Sequence, residues 1–276
     1  MTTWDPGLEP PAARIGPLGW VLVVLRGAIL SVVVFGGWAI LLLVRLVERP
    51  VWGMRRPWTP WITQGVCAAA FVILGIRYRV EGRRMTQRGA VVSNHVAWLD
   101  IFTHNARKRI YFVSKAEVAK WPGIGWLARA TGTVFINRDP REAKLQQAIF
   151  EGRLLAGHKL LFFPEGTSTD GRRVLPFKTT LFQAFFTPDL VHGMYIQPVT
   201  LIYRAPKGAD KRFYGWWGDM AFGPHLLQVL AAWPQGSVTV KYHPPLKVDD
   251  FADRKALAAA AEAAVRSGLP EDLRDA

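Results

Sequence analysis

"GAVVSNHVAWLD", residues 89–100, passes from a short apolar run through a polar turn into a helical pattern. The run "AVV" has the length and the β-branched content of a buried strand. Asn94 and His95 follow that run, and a helix is expected to begin near Trp98. A buried strand that leads directly into a helix is typical of sheets whose strands alternate with covering helices. This stretch therefore predicts an α/β fold.

The same alternation continues on both sides of this stretch, from about residue 77 onward. The candidate strands are "RYRVEG" (77–82), "GAVVSNH" (89–95), "RIYFVSK" (109–115), "GTVFINR" (132–138), "KLLFFPEG" (159–166), "MYIQPVTLIY" (194–203) and "GSVTVKYH" (236–243). Helical patterns, including "TTLFQAFFT" (179–187), lie between them, and an alanine-rich tail over 249–269 predicts a terminal helix. We expect a mixed, largely parallel sheet flanked by helices.

The first quarter of the chain has the composition of a membrane anchor. Residues 27–44, "GAILSVVVFGGWAILLLV", carry no charge, and a helix of that length at about 1.5 Å per residue just crosses a hydrocarbon core. A second uncharged stretch, 57–76, could cross the bilayer, return through it or lie in the interface. We expect residues 1–76 to form a membrane-associated helix pair and residues 77–276 to form one α/β domain. A pair of buried core helices is the alternative.

The charge distribution indicates which side of the membrane the domain occupies. The chain has a formal net charge of +14. The segment 45–88 contains Arg45, Arg49, Arg55, Arg56, Arg77, Arg79, Arg83, Arg84 and Arg88 against Glu48 and Glu81. Arginines beside apolar helices mark the cytoplasmic face and attract anionic headgroups. We therefore expect the inner (cytoplasmic) membrane, with the catalytic domain on the cytoplasmic side and anionic membrane lipids as partners.

Two other classes of protein fit this sequence poorly. The basic residues are concentrated beside apolar segments, and the sequence has no zinc-ligand pairs, RNA-binding aromatic signature or basic heptads, so no nucleic-acid partner is expected. The single cysteine, Cys67, lies in an apolar run and cannot form an internal disulfide. A reducing compartment fits this cysteine usage, and a disulfide scaffold does not.

The first candidate for chemistry is His95 with Asp100. Imidazole is the side chain best suited to remove a proton near neutral pH. A carboxylate beside it fixes the tautomer and stabilises the imidazolium, provided that the backbone turns between the two residues. The alternative is a capping aspartate next to a histidine at a strand end, and this spacing alone does not decide between them.

Two further strand ends carry polar residues. "LLFFPEGTSTDG" (160–171) ends a buried strand in a loop of backbone N–H groups and hydroxyls, which an anion or oxyanion site requires. Its Gly166–Asp170 segment comes near the GxSxG pattern but lacks the final glycine, which disfavours a Ser168 nucleophile. Arg138 follows the strand in "GTVFINRD" and suits a phosphate or carboxylate, the alternative being a surface ion pair with Asp139. The remaining histidines have no ligand-like spacing, so no metal site is expected.

The order of these blocks resembles a known family. NHxxxxD (94–100), GxVFxxR (132–138), FPEGT (163–167) and an apolar strand broken by Pro198 follow one another as in the glycerolipid acyltransferases, which include the 1-acylglycerol-3-phosphate acyltransferases. The resemblance covers roughly residues 77–205. It implies an acyltransferase that takes an acyl group from a thioester of acyl carrier protein or coenzyme A and passes it to a lysolipid acceptor, with no bound cofactor.

The resemblance also implies roles for individual residues. His95 matches the general base and Asp100 the aspartate that orients it. Arg138, Glu165, Gly166 and Thr167 match positions that serve acceptor binding and catalytic geometry.

Two departures bear on the acceptor. Members that handle phosphate usually have arginine at position 168, where this chain has serine, and aspartate at position 137, where it has asparagine. The first expectation is acylation of 1-acyl-sn-glycerol-3-phosphate to phosphatidic acid. The alternative is lyso-ornithine lipid, because "NHVAWLD", "FPEGTSTDG" and "WWGDMAFGPHL" look closer to that branch. A lipid or thioester hydrolase and a non-enzymatic membrane scaffold are more distant alternatives.

Overall fold

A computed structural model describes residues 4–7, 14–137, 141 and 143–274 of the chain. The helices are α1 (Pro17–Trp52), α2 (Thr59–Leu74), α3 (Leu99–Asn105), α4 (Ile124–Thr131), α5 (Ala143–Leu155), α6 (Pro188–Val191), α7 (Phe222–Ala231) and α8 (Arg254–Gly268). The strands are β1 (Arg77–Glu81), β2 (Gly89–Ser93), β3 (Tyr111–Lys115), β4 (Val134–Ile136), β5 (Leu160–Phe162), β6 (Tyr195–Arg204), β7 (Ser237–Tyr242) and β8 (Leu246–Lys247).

These strands form one mixed sheet in the order β1-β7-β6-β2-β5-β3-β4, with the short β8 beside β6. Strands β6, β2, β5, β3 and β4 run parallel to one another, whereas β7 is antiparallel to β6 and parallel to β1. Each of the seven predicted strand segments contains one of these strands. The predicted mixed, largely parallel sheet flanked by helices is therefore confirmed.

Two local predictions differ from the structure. The segment "TTLFQAFFT" forms a 3-10 helix over Leu181–Phe186 rather than an α-helix. Helix α7 was not predicted, because Gly223 and Pro224 in its first turn are residues that usually indicate a loop rather than a helix. Proline is tolerated there, since the first N–H groups of a helix have no intrahelical partner.

The centre of the sheet is buried on both faces, as expected for parallel strands covered by helices. Val91 and Leu161 pack in one hydrophobic cluster, which also contains residues of α2, α3 and α7. Ala90 and Leu160 face the opposite cluster, which contains residues of α5 and α8. Successive side chains of a strand point to opposite faces, so the helices on both sides hold β2 and β5 in place.

Helix α1 is docked on the domain at its first half through a buried arginine. The Arg26 guanidinium donates to the carbonyls of Leu230 and Ala232, at 2.7 and 2.8 Å. These carbonyls end α7 and have no partners in their own helix, so the guanidinium caps that helix. Arg26 is only 6% exposed. This contact fixes the first half of α1 against α7.

The second half of α1 is docked through a buried glutamate. The Glu48 carboxylate accepts from the backbone N–H groups of Trp58 and Thr59, at 2.8 and 3.1 Å, and from the Thr59 hydroxyl at 2.7 Å. It thereby provides acceptors for backbone N–H groups at the start of α2, which have no partner within the helix. Between the two docked ends, Gly37 lies so close to Val66 that a Cβ at Gly37 would be 2.3 Å from Val66 Cγ2. Over most of its length, helix α1 therefore lies against the domain and against α2.

The opposite side of α1 is apolar and exposed. Its exposed side chains include Leu18, Val21, Leu25, Ile29, Val32, Leu43 and Leu46. Within the described residues, α1 is the one helix long and apolar enough to cross a membrane, and only 6% of its most apolar window is buried. The alternative of a buried core helix is therefore wrong for α1. Helix α2, in contrast, buries Cys67, Ala70, Phe71 and Leu74 in the protein.

Candidate active site

The loops that follow β2 and β5 meet at one edge of the sheet. The two strands are parallel neighbours, with Ala90 opposite Leu160 and Val92 opposite Phe162. Their carboxyl ends therefore lie side by side, and sites in such sheets gather at that edge. This places the turn 94–100 against the loop 163–170.

The turn brings His95 and Asp100 together, as the sequence predicted. Nδ1 of His95 lies 2.7 Å from Oδ2 of Asp100. The His95 side chain is 22% exposed, whereas that of Asp100 is fully buried. The same Oδ2 accepts the backbone N–H groups of Val96 and Ala97, at 2.7 and 3.1 Å. The sequence left open whether Asp100 caps the helix or pairs with His95. In the structure the Asp100 carboxylate does both.

The second oxygen of Asp100 binds a tyrosine that the sequence did not single out. The Tyr203 hydroxyl donates to Asp100 Oδ1 at 2.8 Å and lies 2.7 Å from the Thr103 hydroxyl. Burial raises the pKa of Tyr203 well above its ordinary value, and the Asp100 carboxylate raises it further, so the phenol keeps its proton and remains a donor. Four donors in all hold the carboxylate in one orientation.

Phe163 fixes the plane of the imidazole. The two rings are stacked, with centroids 4.0 Å apart and an interplanar angle of 10°. With Nδ1 directed at Asp100, Nε2 is the ring nitrogen left to meet a substrate hydroxyl. The Asp100 contact thereby favours the tautomer with the proton on Nδ1 and a basic Nε2.

Glu165 holds the backbone of the histidine. Its Oε1 accepts the N–H of His95 at 2.8 Å, and its Oε2 accepts the N–H of Leu175 at 2.9 Å. Burial raises the pKa of Glu165 to about 8, although the two backbone N–H donors act in the opposite direction. The side chain is 2% exposed. Of the two roles implied for Glu165, this geometry favours positioning of the turn 94–100 over direct acceptor binding.

Residues 166–169 of the loop 163–170 lie beside His95 and its backbone. The N–H of Thr169 donates to the His95 carbonyl at 2.9 Å. Gly166 has a φ of +73°, which favours glycine, and a Cβ there would lie 2.6 Å from Lys178 Nζ. Thr167 is partly buried, and its hydroxyl oxygen accepts the N–H of Trp4 at 3.4 Å.

Asn94 connects the turn 94–100 to β6. Its side-chain amide donates to the Leu201 carbonyl at 3.0 Å and accepts the Leu201 N–H at 2.8 Å. A side chain that pairs with a strand in this way completes backbone bonds the sheet would otherwise leave open. The only signal for Asn94 in the sequence is its place directly before His95.

The other predicted residues have different outcomes. Arg138 lies outside the described residues, so its predicted contact stays a prediction. Ser168 forms no hydrogen bond with a histidine in the part of the chain that the structure describes, and a serine nucleophile needs such a base. This geometry does not favour the hydrolase alternative.

Aromatic side chains lead from the turn 94–100 to the surface. The N–H of Trp216 donates to the Val96 carbonyl at 2.9 Å. The ring of Phe222 packs on both Trp98 and Trp216, with centroids 5.5 and 6.2 Å apart. Trp216 in turn contacts Trp121, which is 42% exposed. These rings form an apolar wall that extends from Trp98, in the turn 94–100, to Trp121 at the protein surface.

Comparison with known proteins gives three findings. The sequence profile of the family described as Acyltransferase matches residues 77–202. The chain is 61% identical over 269 residues to lyso-ornithine lipid O-acyltransferase from Rhodobacter capsulatus, covering 97% of this chain and 98% of that protein. It is 42% identical over 96 residues to 1-acyl-sn-glycerol-3-phosphate acyltransferase from Neisseria gonorrhoeae, covering 34% of this chain and 37% of that protein.

A solved structure has a similar fold. The 1-acyl-sn-glycerophosphate (LPA) acyltransferase PlsC from Thermotoga maritima aligns with a TM-score of 0.63 at 22% identity, covering 91% of this chain and 94% of that chain. At this identity the likeness concerns the fold, and it includes nearly the whole chain with its amino-terminal helices.

Proposed function

Because the chain belongs to the acyltransferase family, we propose that it transfers a fatty acyl group from an acyl thioester to the free hydroxyl of lyso-ornithine lipid. The observation that supports this acceptor best is the 61% identity to lyso-ornithine lipid O-acyltransferase over nearly the full length of both proteins. The geometry of His95, Asp100 and Glu165 supports the transfer chemistry.

The acceptor expected first, 1-acyl-sn-glycerol-3-phosphate, becomes the second candidate. It is supported by the 42% identity to the Neisseria gonorrhoeae enzyme, which spans about a third of each protein. Ser168 argues against it, since phosphate is preferentially bound by guanidinium groups. An ornithine headgroup carries no phosphate and does not require an arginine at that position.

In the proposed mechanism His95 is the general base. Its Nε2 takes the proton of the acceptor hydroxyl as that oxygen attacks the carbonyl carbon of the thioester. Asp100 stabilises the imidazolium that forms. Backbone N–H groups of the 165–168 loop stabilise the oxyanion of the tetrahedral intermediate. The carbon–sulfur bond then breaks, and the imidazolium gives its proton to the departing thiolate, leaving an ester and a free thiol.

No covalent acyl-enzyme is required, because a thioester is already an activated acyl donor. The carrier is acyl carrier protein or coenzyme A, and the acyl chain follows the apolar wall that begins at Trp98. In this arrangement the thioester carbonyl reaches the His95 imidazole while the chain stays among apolar side chains.

The membrane arrangement follows from the docking of α1. At about 1.5 Å per residue this 36-residue helix is about 54 Å long, well beyond a hydrocarbon core of about 30 Å. Arg26 and Glu48, near its two ends, are buried in contacts with the domain. We propose that α1 lies in one leaflet of the inner membrane with its apolar side toward lipid, and that the domain faces the cytoplasm.

A competition experiment tests the acceptor. Purified protein receives a labelled acyl thioester together with equal amounts of lyso-ornithine lipid and 1-acyl-sn-glycerol-3-phosphate in mixed micelles. We expect the label to enter ornithine lipid in large excess. Labelled phosphatidic acid as the main product would favour the second candidate, and labelled free fatty acid as the main product would indicate a hydrolase.

A further inference from the structure

A lysine with no ion-pair partner among the described residues lies beside the loop 163–170, which we call the acceptor loop. The side chain of Lys178 extends across Gly166, with its Nζ 2.6 Å from where a glycine-to-alanine substitution would place a Cβ. The N–H of Lys178 donates to the Pro164 carbonyl at 2.9 Å, which fixes the start of this side chain to the same loop. Lys178 is exposed and has no carboxylate partner within the described residues.

An amino-terminal segment lies on the other side of Thr167. The N–H of Trp4 donates to the Thr167 hydroxyl oxygen at 3.4 Å. The Trp4 ring packs against the Arg173 guanidinium and edge-on against Trp217, at 5.1 and 5.9 Å. Arg173 is itself paired with Asp170. The indole thereby holds the segment 4–7 against the acceptor loop.

This segment carries a carboxylate that is open to solvent. Asp5 is exposed, and its Oδ1 accepts the N–H of Gly7 at 2.8 Å. Its carboxylate lies close to Gly218, where an added Cβ would be 3.3 Å from Asp5 Cγ. Among the residues that the structure describes, no lysine or arginine pairs with Asp5, although the chain has a net charge of +14.

The acceptor loop is thus flanked by one cation and one anion, neither of which is neutralised within the described chain. An ornithine joined to a fatty chain through one of its two amines keeps one ammonium and one carboxylate. A 1-acylglycerol phosphate has only negative charge. The pair formed by Lys178 and Asp5 therefore matches a zwitterionic headgroup and not a purely anionic one.

Resting on the proposed function, we propose that Lys178 and Asp5 form the headgroup subsite of the acceptor. Lys178 binds the carboxylate of the headgroup and Asp5 binds its ammonium. Trp4 positions Asp5, and Gly166 leaves the space that the Lys178 side chain occupies. Position 168 is then free to be a small residue, because the cation of this subsite comes from Lys178.

The test is a comparison of Michaelis constants. Lys178→Ala and Asp5→Asn are assayed in mixed micelles with lyso-ornithine lipid varied at saturating acyl thioester. We expect each to raise KM for the lipid by about 5- to 10-fold, while kcat and KM for the thioester change by less than about twofold. The exposed Lys255→Ala and Asp189→Asn, on α8 and α6, are matched controls and should leave KM unchanged.

A second acceptor separates charge recognition from a general disturbance of the loop. With 1-acyl-sn-glycerol-3-phosphate as a competing lipid, Asp5→Asn should strengthen its competition, because a repulsive carboxylate is removed, and Lys178→Ala should weaken it. Both side chains are exposed, so melting temperatures should stay at the wild-type value and folding will not mask the result.

The outcomes distinguish the subsite from the function. If wild-type protein acylates lyso-ornithine lipid but either variant keeps the wild-type KM, the subsite is overturned and the function stands. An increase confined to the KM for the thioester also overturns the subsite, since it would assign these charges to the donor. If wild-type protein acylates only 1-acyl-sn-glycerol-3-phosphate, the proposed function fails, and the zwitterion subsite fails with it.

Discussion

Two regions of the molecule find their partners in different places. One is the edge of the sheet that carries the turn 94–100 and the loop 163–170, called the catalytic edge after the function proposed for it, and the other is the outer side of α1. At the catalytic edge, Asp100 is fully buried and both of its oxygens are occupied by donors from the chain. On α1, Val32 is 73% exposed and Leu46 is 72% exposed. Apolar surface on this scale has no partner in the chain and needs an external one.

This contrast indicates that the two regions have different roles. The catalytic edge is organised within the protein before substrate arrives, which is the arrangement that electrostatic stabilisation requires. The outer side of α1 contributes to function through the membrane, where both the lysolipid and its product reside. Changes at the catalytic edge should therefore alter turnover and leave membrane binding intact. Changes on the outer side of α1 should weaken membrane binding and leave turnover intact.

The largest effect is expected from His95→Ala. Loss of the general base should lower acyl transfer by about 10² to 10⁴-fold, measured with labelled thioester and lysolipid in micelles. Vesicle flotation should stay at the wild-type level. The exposed His192→Ala is the matched control and should retain turnover. Near-normal turnover of His95→Ala would contradict the assignment of the base.

Asp100→Asn should follow, with a loss of about 10²-fold or more in kcat, because the amide cannot stabilise an imidazolium. It should also lower the free energy of unfolding by about 1–3 kcal/mol, since one carboxylate oxygen is replaced by an N–H₂ that faces donors. Chemical denaturation measures the second effect. Unchanged turnover would mean that Asp100 serves only as a cap.

Val32→Glu tests the opposite region. A charge in the exposed apolar stripe should weaken binding to vesicles by about 10- to 100-fold, because burial of the valine in lipid is lost. Turnover of micellar substrate should stay within about twofold of wild type. Val32→Leu is the control and should bind normally. Undiminished vesicle binding of Val32→Glu would show that this side of α1 does not face lipid.

The dependence of stability on pH tests the environment of Glu165. The pKa of Glu165 is raised from 4.5 to about 8 by burial, so the folded protein favours the protonated carboxyl. Its contribution to stability is present below about pH 4.5 and is lost as the pH rises to about 8. Glu165→Gln should flatten that part of the curve of unfolding free energy against pH, and the exposed Glu271→Gln should not. An identical slope in Glu165→Gln would contradict the raised pKa.

The same contrast explains what the sequence could predict. The contact between His95 and Asp100 was predictable because the two residues are close in the chain and β2 is a continuous apolar run. The partner of Asp100, Tyr203, is 103 positions away in an apolar strand, and its role depends on β6 lying next to β2. Glu165 was predicted through its motif, but its two backbone contacts depend on the fold of the loop.

The docking of α1 was beyond sequence reasoning for a similar reason. An uncharged apolar stretch predicts contact with lipid, and the exposed outer side of α1 agrees with this. Arg26 directly precedes that stretch, and nothing nearby in the chain reveals that it caps α7. Glu48 was likewise counted only as a charge, although it holds the start of α2.

In the proposed mechanism the acyl group passes directly from the thioester to the lysolipid hydroxyl with His95 as base. Intact-mass measurement of wild-type protein, quenched in acid at short times after mixing with acyl thioester, tests it most directly. Direct transfer predicts protein of unmodified mass with and without lyso-ornithine lipid, and acyl groups that appear only in the lipid. Accumulation of protein carrying one acyl group, mapped to Ser168 or any other side chain, would contradict it.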